Sequence, residues 1–306
     1  MTSIPIIPFE AAEKLLDWID LTDALAHGHT LPKAEIGDTF LYRTPDTLLS
    51  RAAWIDGMGM AVKSATVFPG NAAQGKPNVN GGVSLYSDTD GTLEALVDFH
   101  LVTKWKTAGD SLLAARRLAR PDAKRILLVG AGTVAQSLHA AYSAAFPEAR
   151  FTVWSRTRTS AEALQIALPD VAIADDLETA VRDAEIIGSA TMATEPLIKG
   201  AWLQAGQHLD LIGAYRPDMR EVDDEALQRA RLFVDSFETT IGHIGEIKTP
   251  LETGAITRDH IIADYYNLAA FQRSSSDEIT ICKNGGGAHL DLMTSRYILD
   301  RWRAAG

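Results

Sequence analysis

The sequence predicts an α/β fold: a Rossmann-type, doubly wound parallel sheet joined to a second domain of α+β character. Three observations lead there. Residues 126–156, ILLVGAGTVAQSLHAAYSAAFPEARFTVWSR, read as strand, glycine turn, helix and strand. From Lys124 onward, short apolar strands alternate with helical segments, which is the pattern of parallel strands with crossover helices. Residues 30–102 differ, with short strands separated by Gly, Pro, Asn and Asp.

Phe9–Leu21 places Ala12, Leu15, Leu16 and Ile19 at helical spacing and is expected to form the first helix. Strands are expected at Gly59–Lys63, Gly82–Tyr86 and Leu93–Phe99. Asn80-Gly81 and Asp90-Gly91 read as turns because these residue types tolerate positive φ. Thr107–Ala119 follows as a helix that ends near Pro121. The later strands are Ile126–Val129, Phe151–Trp154, Val171–Ala174, Ile186–Ala190, Leu209–Ile212 and Leu232–Val234, with helices near Ala161–Leu168 and Asp224–Ala230. The segment Gly285–Arg303 is helical and is expected to return to the N-terminal part. The domains are thus 1–120, with 286–306 returning, for the substrate, and 121–285 for a dinucleotide. Ligands of open α/β sheets sit beyond the carboxyl ends of the strands, so the two domains are expected to face each other there.

Gly130-Ala131-Gly132-Thr133-Val134-Ala135 has G-x-G-x-x-A spacing. Gly130 permits the tight turn, Gly132 lets the backbone approach a pyrophosphate, and Ala135 lets helix and strand pack closely. The helix from Thr133 to Phe146 points its free N–H groups, beginning at Thr133 and Val134, toward that pyrophosphate. The second strand selects the dinucleotide. An NAD enzyme usually ends it in a carboxylate that accepts from the ribose 2′-OH. Here Ser155, Arg156, Thr157 and Arg158 follow Trp154. Guanidinium and hydroxyl groups suit a 2′-phosphate, so NADP(H) is expected over NAD(H). Thr191, just past the strand Ile186–Ala190, completes the expected cofactor set.

The chain has 306 residues, 46% hydrophobic and 23% charged, ordinary values for a globular protein with a sizeable core. A net charge of -11 without a basic run argues against a nucleic-acid partner. No apolar run has membrane-spanning length. The segment MTSIPIIPFEAAEKLL lacks the charge and apolar core of a signal peptide, and a cytoplasmic location is expected. The one cysteine, Cys282, lies in an apolar run and reads as a buried structural thiol. No Cys/His cluster has zinc spacing, so no metal is expected.

Several separated segments resemble the ornithine cyclodeaminase/μ-crystallin family. They are Ala61-Val62-Lys63, Phe68-Pro69-Gly70-Asn71, Gly75-Lys76-Pro77, and Leu101-Val102-Thr103-Lys104-Trp105-Lys106-Thr107-Ala108. Two more follow: the run from Gly213 to Asp223 and the pair Gly245-Glu246. The resemblance implies a substrate and dimerisation domain, a Rossmann domain, a homodimer, and NAD(P) chemistry at an amino-acid α-carbon. It implies that Arg43, Lys63 and Lys106 bind the substrate carboxylate. Lys63 and Lys106 serve also in catalysis, Thr107 lies near the cofactor phosphate, and Glu246 is an acid candidate. Lys106 stands where the family usually has arginine; it keeps the charge and loses the bidentate fork. Tyr215 stands where the family's cyclodeaminases have a catalytic aspartate. The chain is more similar there to the imine-reducing members, and Lys-Trp-Lys-Thr-Ala resembles their bacterial Δ1-pyrroline-2-carboxylate reductases.

Imine reduction needs a cation for the carboxylate and a proton for the nitrogen, and two neighbouring lysines lower each other's pKa enough to donate near neutrality. Other polar residues read as structural. His27 and His29 are expected in an exposed loop, and His100 at the end of a strand. Lys104 is expected as a solvated charge and Trp105 as packing between the domains. His243 and His289 are expected to be structural, and Arg216, Asp218, Arg220 and Glu221 to form a solvated loop. The expected function is NAD(P)H-dependent reduction of a cyclic imino acid, Δ1-pyrroline-2-carboxylate or its piperideine homologue. The alternatives are an amino-acid cyclodeaminase or dehydrogenase, and a non-catalytic protein that binds NADPH and a small ligand.

Overall fold

The structure is a computed structural model and describes residues 4–306, apart from the side chain of Ala72. The chain divides into two compact units. One comprises the residues up to Lys106 together with Gly287–Gly306, and the other comprises Thr107–Gly286. The division falls inside a helix, whereas the sequence reading placed it after that helix.

The first unit is built on a six-stranded sheet. Its strands are β1 (Ile6–Ile7), β2 (Glu35–Arg43), β3 (Asp46–Ile55), β4 (Gly59–Val67), β5 (Val79–Tyr86) and β6 (Leu93–Asp98), in the order β1-β6-β5-β4-β3-β2. All neighbours are antiparallel except β1 and β6. The first helical region breaks into α1 (Phe9–Ala12) and, after a 3₁₀ turn, α2 (Trp18–Gly28). Asp17 caps α2 by accepting from the N–H groups of Ile19 and Asp20, which starts a new helix where one continuous helix is expected. Helix α3 (Phe99–Leu118) begins eight residues earlier than the sequence reading has it, so His100, Lys104, Trp105 and Lys106 are helical. Asn80-Gly81 is not a turn but part of β5. Its glycine is needed for close packing, since a Cβ there would lie 2.0 Å from the Ser64 carbonyl and 2.9 Å from Phe99.

Burial alternates along β4: Ala61, Lys63 and Ala65 are buried, and Ser64 is exposed. The small inward residues Ala53, Ala61 and Ala65 admit the C-terminal helix (Ala288–Ala305), numbered α10 in chain order. That helix does return to the N-terminal part. It packs on β3, β4 and α2. Tyr297 Oη receives the Asp17 N–H and donates to the Asp17 carbonyl, and Arg296 pairs with Glu94 of β6 at 2.6 Å. Trp105 stacks on Trp18 with ring centroids 3.9 Å apart, so its packing is within this unit. The opposite sheet face carries exposed Ile6, Leu41, Leu48, Trp54 and Leu96.

The second unit is a seven-stranded parallel sheet ordered β12-β13-β11-β10-β7-β8-β9. The strands are β7 (Arg125–Val129), β8 (Arg150–Trp154), β9 (Ala172–Ile173), β10 (Ile186–Ser189), β11 (His208–Leu211), β12 (Arg231–Val234) and β13 (Thr280–Lys283). Helices α4 (Thr133–Ala145), α5 (Arg158–Ala167), α6 (Leu177–Asp183), α7 (Asp224–Arg229), α8 (Phe237–Thr240) and α9 (Gly245–Thr253) connect them. The order reverses at β7, with β8 and β9 on one side and β10 and β11 on the other. This is the topological switch point of a doubly wound sheet. The run containing Cys282, unassigned in the sequence reading, is the strand β13 between β11 and β12, and its thiol is buried. Among the described residues no helix is long and apolar enough to cross a membrane.

Ile298 of α10 is fully buried. Ile298→Ala is expected to destabilise the protein by about 2–5 kcal/mol, read as a lower urea midpoint with little change in slope.

Candidate active site

In the first unit the antiparallel register sets Arg51 of β3 directly opposite Lys63 of β4. Both side chains therefore project from the same sheet face. Lys63 is only 7% exposed. Its Nζ donates to Asp291 Oδ1 of α10 at 2.8 Å and to Thr103 Oγ1 of α3 at 2.8 Å, and sits 4.7 Å from the Phe99 ring centroid. Lys106 lies one helical turn beyond Thr103 on the same face of α3. It is half-buried and makes no hydrogen bond or ion pair among the described residues. Arg51 is held in a bidentate pair with Asp38 of β2, Nε donating to Oδ1 at 3.2 Å and Nη2 to Oδ2 at 2.9 Å.

Burial, above all, lowers the pKa of Lys63 below the ordinary lysine value; the Asp291 carboxylate opposes it, and Lys106 and Arg51 add to the lowering. Burial works to raise Asp291, yet the charges of Lys63 and Lys106 outweigh it and keep that carboxyl below its usual range. His289 of α10 is buried and stands edge-on to His29, with centroids 5.4 Å apart. Burial first, then His29, Lys106, Arg51 and Lys33, hold its pKa well below the usual value, so it is neutral near pH 7. The cluster therefore brings Arg51, Lys63 and Lys106 together with Asp38 and Asp291, and Lys33 is near enough to act on His289. Lys106 makes no ion pair among the described residues.

Arg43 is not part of this cluster. It ends β2 with a side chain 78% exposed and pairs with Asp46 at 2.6 Å. Asp46 lies five residues from Arg51 along β3, roughly 17 Å at the rise of a strand. Arg51 is the arginine beside Lys63, a correction that only strand register reveals. His29 is also corrected: it is buried at the end of α2, with Nδ1 at 2.7 Å from the Leu25 carbonyl, whereas His27 is exposed as expected but lies in the last turn of α2 and not in a loop. Lys104 is not free in solvent but paired with Glu13.

In the second unit the glycine turn is formed as expected. Gly130 has φ +107°, and a Cβ on it would meet the Ala190 carbonyl at 2.7 Å. A Cβ on Gly132 would meet nothing within 4 Å, so the backbone there is open to a ligand. Gly132 is the N-cap of α4 and supplies no side-chain cap, which leaves the first N–H groups of Thr133 and Val134 available. A cavity of about 290 Å³ lies beside the turn, lined by Gly130, Trp154, Ser155, Arg156, Thr157 and Thr191, among others. These features fit a dinucleotide. Thr107 opens this unit within α3 and is half-buried. Arg158 is tied to Glu162 and Asp175, whereas exposed Arg156 makes no hydrogen bond or ion pair among the described residues.

Glu246 is fully buried at the start of α9. It accepts the N–H groups of Glu221 at 2.7 Å and Val222 at 3.1 Å, which is a loop-holding arrangement and not that of an acid open to substrate. Glu221, expected in solvent, is also fully buried. Of the other residues expected in that loop, Arg216 pairs with Asp218 and Arg220 with Asp224. Tyr215 is exposed near the loop's start.

A family model described as the ornithine cyclodeaminase/mu-crystallin family matches residues 53–306. The chain belongs to that family. It is 52% identical to a Delta(1)-pyrroline-2-carboxylate reductase of Paracoccus denitrificans, with 92% of each chain covered. It is 31% identical to the ketimine reductase mu-crystallin of Rattus norvegicus, covering 79% of this chain and 76% of that one. Among solved structures, the Delta(1)-pyrroline-2-carboxylate reductase of Thermococcus litoralis in complex with NADH and L-proline superposes with a TM-score of 0.89. It is 24% identical, with 99% of this chain and 98% of that one covered, and it shows that the fold is shared.

Replacing Asp291 tests the electrostatics of the lysine. The Asp291 carboxylate raises the Lys63 pKa, so Asp291→Asn is expected to lower it further. Any activity that needs charged Lys63 then falls away at lower pH, and the basic limb of the kcat/KM profile moves toward acid. The pH–rate profiles of the two proteins check this; an unmoved basic limb would show that Lys63 ionisation does not govern it.

Proposed function

We propose that the protein is an NADPH-dependent reductase that converts Δ1-pyrroline-2-carboxylate to L-proline, with Δ1-piperideine-2-carboxylate as a second substrate. The observation that carries this is the cluster around Lys63, where Lys106, which makes no ion pair among the described residues, stands beside the buried Lys63–Asp291 pair. The positive charge of Lys106 suits the single carboxylate of a small imino acid. The identity with the Paracoccus reductase supports the choice of ring.

Lys106 fixes the carboxylate, while Arg51 stays paired with Asp38 beside Lys63. NADPH, held by the glycine turn and the residues after β8, would supply the hydride for C2 when bound. Lys63 gives a proton to the imine nitrogen, so the product leaves as a neutral amine. Its lowered pKa makes that transfer easier than from an ordinary lysine. Thr103 and Asp291 hold the ammonium while the ring binds. Arg156, Ser155 and Thr157 take the 2′-phosphate. Arg156 supports that choice, since it is exposed and unpaired. The apolar outer face of the first sheet supports a homodimer.

A cyclodeaminase is disfavoured by the segment after β11. Tyr215 offers no carboxylate, and that of Asp218 is paired with Arg216 at 2.8 Å. The deciding assay follows NADPH absorbance with Δ1-pyrroline-2-carboxylate, and ammonia with ornithine and NAD. Proline with no ammonia is expected. Ammonia without net cofactor change would make the protein a cyclodeaminase, and binding of NADPH without turnover would make it a ligand-binding protein.

Two substitutions sharpen the assignment. Lys63→Ala is expected to cost about 10²-fold or more in kcat/KM while NADPH affinity stays within about twofold. Retained turnover would remove the lysine from the mechanism. Arg156→Ala is expected to weaken NADPH about tenfold or more, with NADH little changed. Equal losses for both cofactors would refute the 2′-phosphate contact.

A further inference from the structure

The loops that follow β10 and β11 meet around one buried carboxylate. Glu221 accepts five hydrogen bonds: from Ser189 Oγ at 2.6 Å, Thr191 N at 2.8 Å, Thr191 Oγ1 at 2.9 Å, Gly213 N at 2.7 Å and Ala214 N at 3.1 Å. The first three donors sit at the end of β10, and the last two just past β11. The loops touch so closely that a Cβ on Gly213 would lie 2.1 Å from the Thr191 carbonyl oxygen and 2.2 Å from its nitrogen. Glycine is therefore required at 213 by approach and not by backbone dihedral.

Two further buried titratable groups support this arrangement. Glu246 holds the backbone on which Glu221 sits, through the N–H groups of Glu221 and Val222. Gly245 brings α9 close enough to do so, since a Cβ there would meet the Pro217 carbonyl at 2.4 Å. Lys283 of β13 donates to the carbonyl of Leu211, the last residue of β11, at 2.7 Å, and its charge faces both carboxylates. A buried carboxylate persists only when its lone pairs are filled, and here they are filled by loop donors.

In a doubly wound sheet the strands on one side of the switch point hold the adenosine half of a dinucleotide, and those on the other side hold the nicotinamide half. Here β8 and its Arg156 belong to the first side, and β10 and β11 to the second. We propose that Glu221 is the positioning residue of the nicotinamide half-site, joining the loops after β10 and β11 into one rigid floor, with Glu246 and Lys283 as its supports. It touches neither substrate nor cofactor and acts through Thr191, Gly213 and Ala214. This rests on the dinucleotide reading of the second unit.

The test compares two ligands on the full-length protein. NADPH needs both half-sites, and adenosine 2′,5′-bisphosphate needs only the adenosine side. Glu221→Gln keeps the shape but replaces one acceptor oxygen by an NH₂ group that confronts N–H donors. NADPH affinity, read from nicotinamide fluorescence, is expected to fall at least tenfold, while the bisphosphate changes less than twofold. Equal losses for the two ligands would mean general destabilisation, and no loss would mean that the loops hold without Glu221; either overturns the proposal. Failure of the unsubstituted protein to bind either ligand would overturn the dinucleotide reading itself. Ser189→Ala removes a single donor and gives a second variant should Glu221→Gln not fold. It is expected to weaken NADPH two- to fivefold with the bisphosphate unchanged, and an unaltered NADPH affinity would again overturn the proposal.

Discussion

A lysine buried in a sheet needs acceptors for its ammonium, and for Lys63 the carboxylate among them comes from the last helix. Asp291 lies 228 residues away in sequence and 2.8 Å away in space. Burying an unpaired ammonium would cost several kcal/mol, so the sheet and the C-terminal helix form a mutually dependent pair. The inward alanines of β3 and β4 are small because α10 must come close enough for the pair to form. Tyr297 and Arg296 fix the same helix farther along, so Asp291 is presented by a rigid element and not by a loose tail. With Asp291 engaged by Lys63 and Asp38 by Arg51, the positive charge of Lys106 is available to a ligand.

The second unit solves a similar problem with the opposite charge. Glu221 has no cationic partner in hydrogen-bond range among the described residues, and its lone pairs are filled by backbone and hydroxyl donors. Burial first, and then the Glu221 charge, push the pKa of neighbouring Glu246 up to about 7. Lys283 opposes that rise, while burial lowers its own pKa. The site region thus stores its charge in groups that do not face solvent. Such groups are costly to remove one at a time, which makes the loops they hold rigid.

The parts of the fold legible in the sequence are those determined locally. The glycine turn, the helix after it and the strands around it occur within about thirty residues, and each obeys its own short-range rule. Strands β2 and β3 were less legible because their exposed face is mixed and their charges, Asp38 and Arg51 among them, interrupt the alternation. Lys63 stood out because a lysine is an odd residue in an apolar strand. Its partners did not, since register and the path of the last helix bring Arg51 and Asp291 to it. Glu221 was hidden for a related reason. It stands in a charged run that looks solvated, and only the folding of that run across two strand ends turns it inward.

Arg156 and Arg158 show how a helix boundary separates two residues that look equivalent in the sequence. Thr157 is the N-cap of α5, which puts Arg158 in the first turn. A cation there opposes the helix dipole, and Glu162 one turn on, with Asp175 beside it, offsets the unfavourable placement. Arg158 is thereby engaged by two carboxylates of its own chain. Arg156 falls outside the helix and has no such obligation. A phosphate placed beside it would also meet the N-terminal end of α5, where negative charge is favoured. The preference proposed for NADPH therefore depends less on the number of arginines after β8 than on the one residue at which α5 begins.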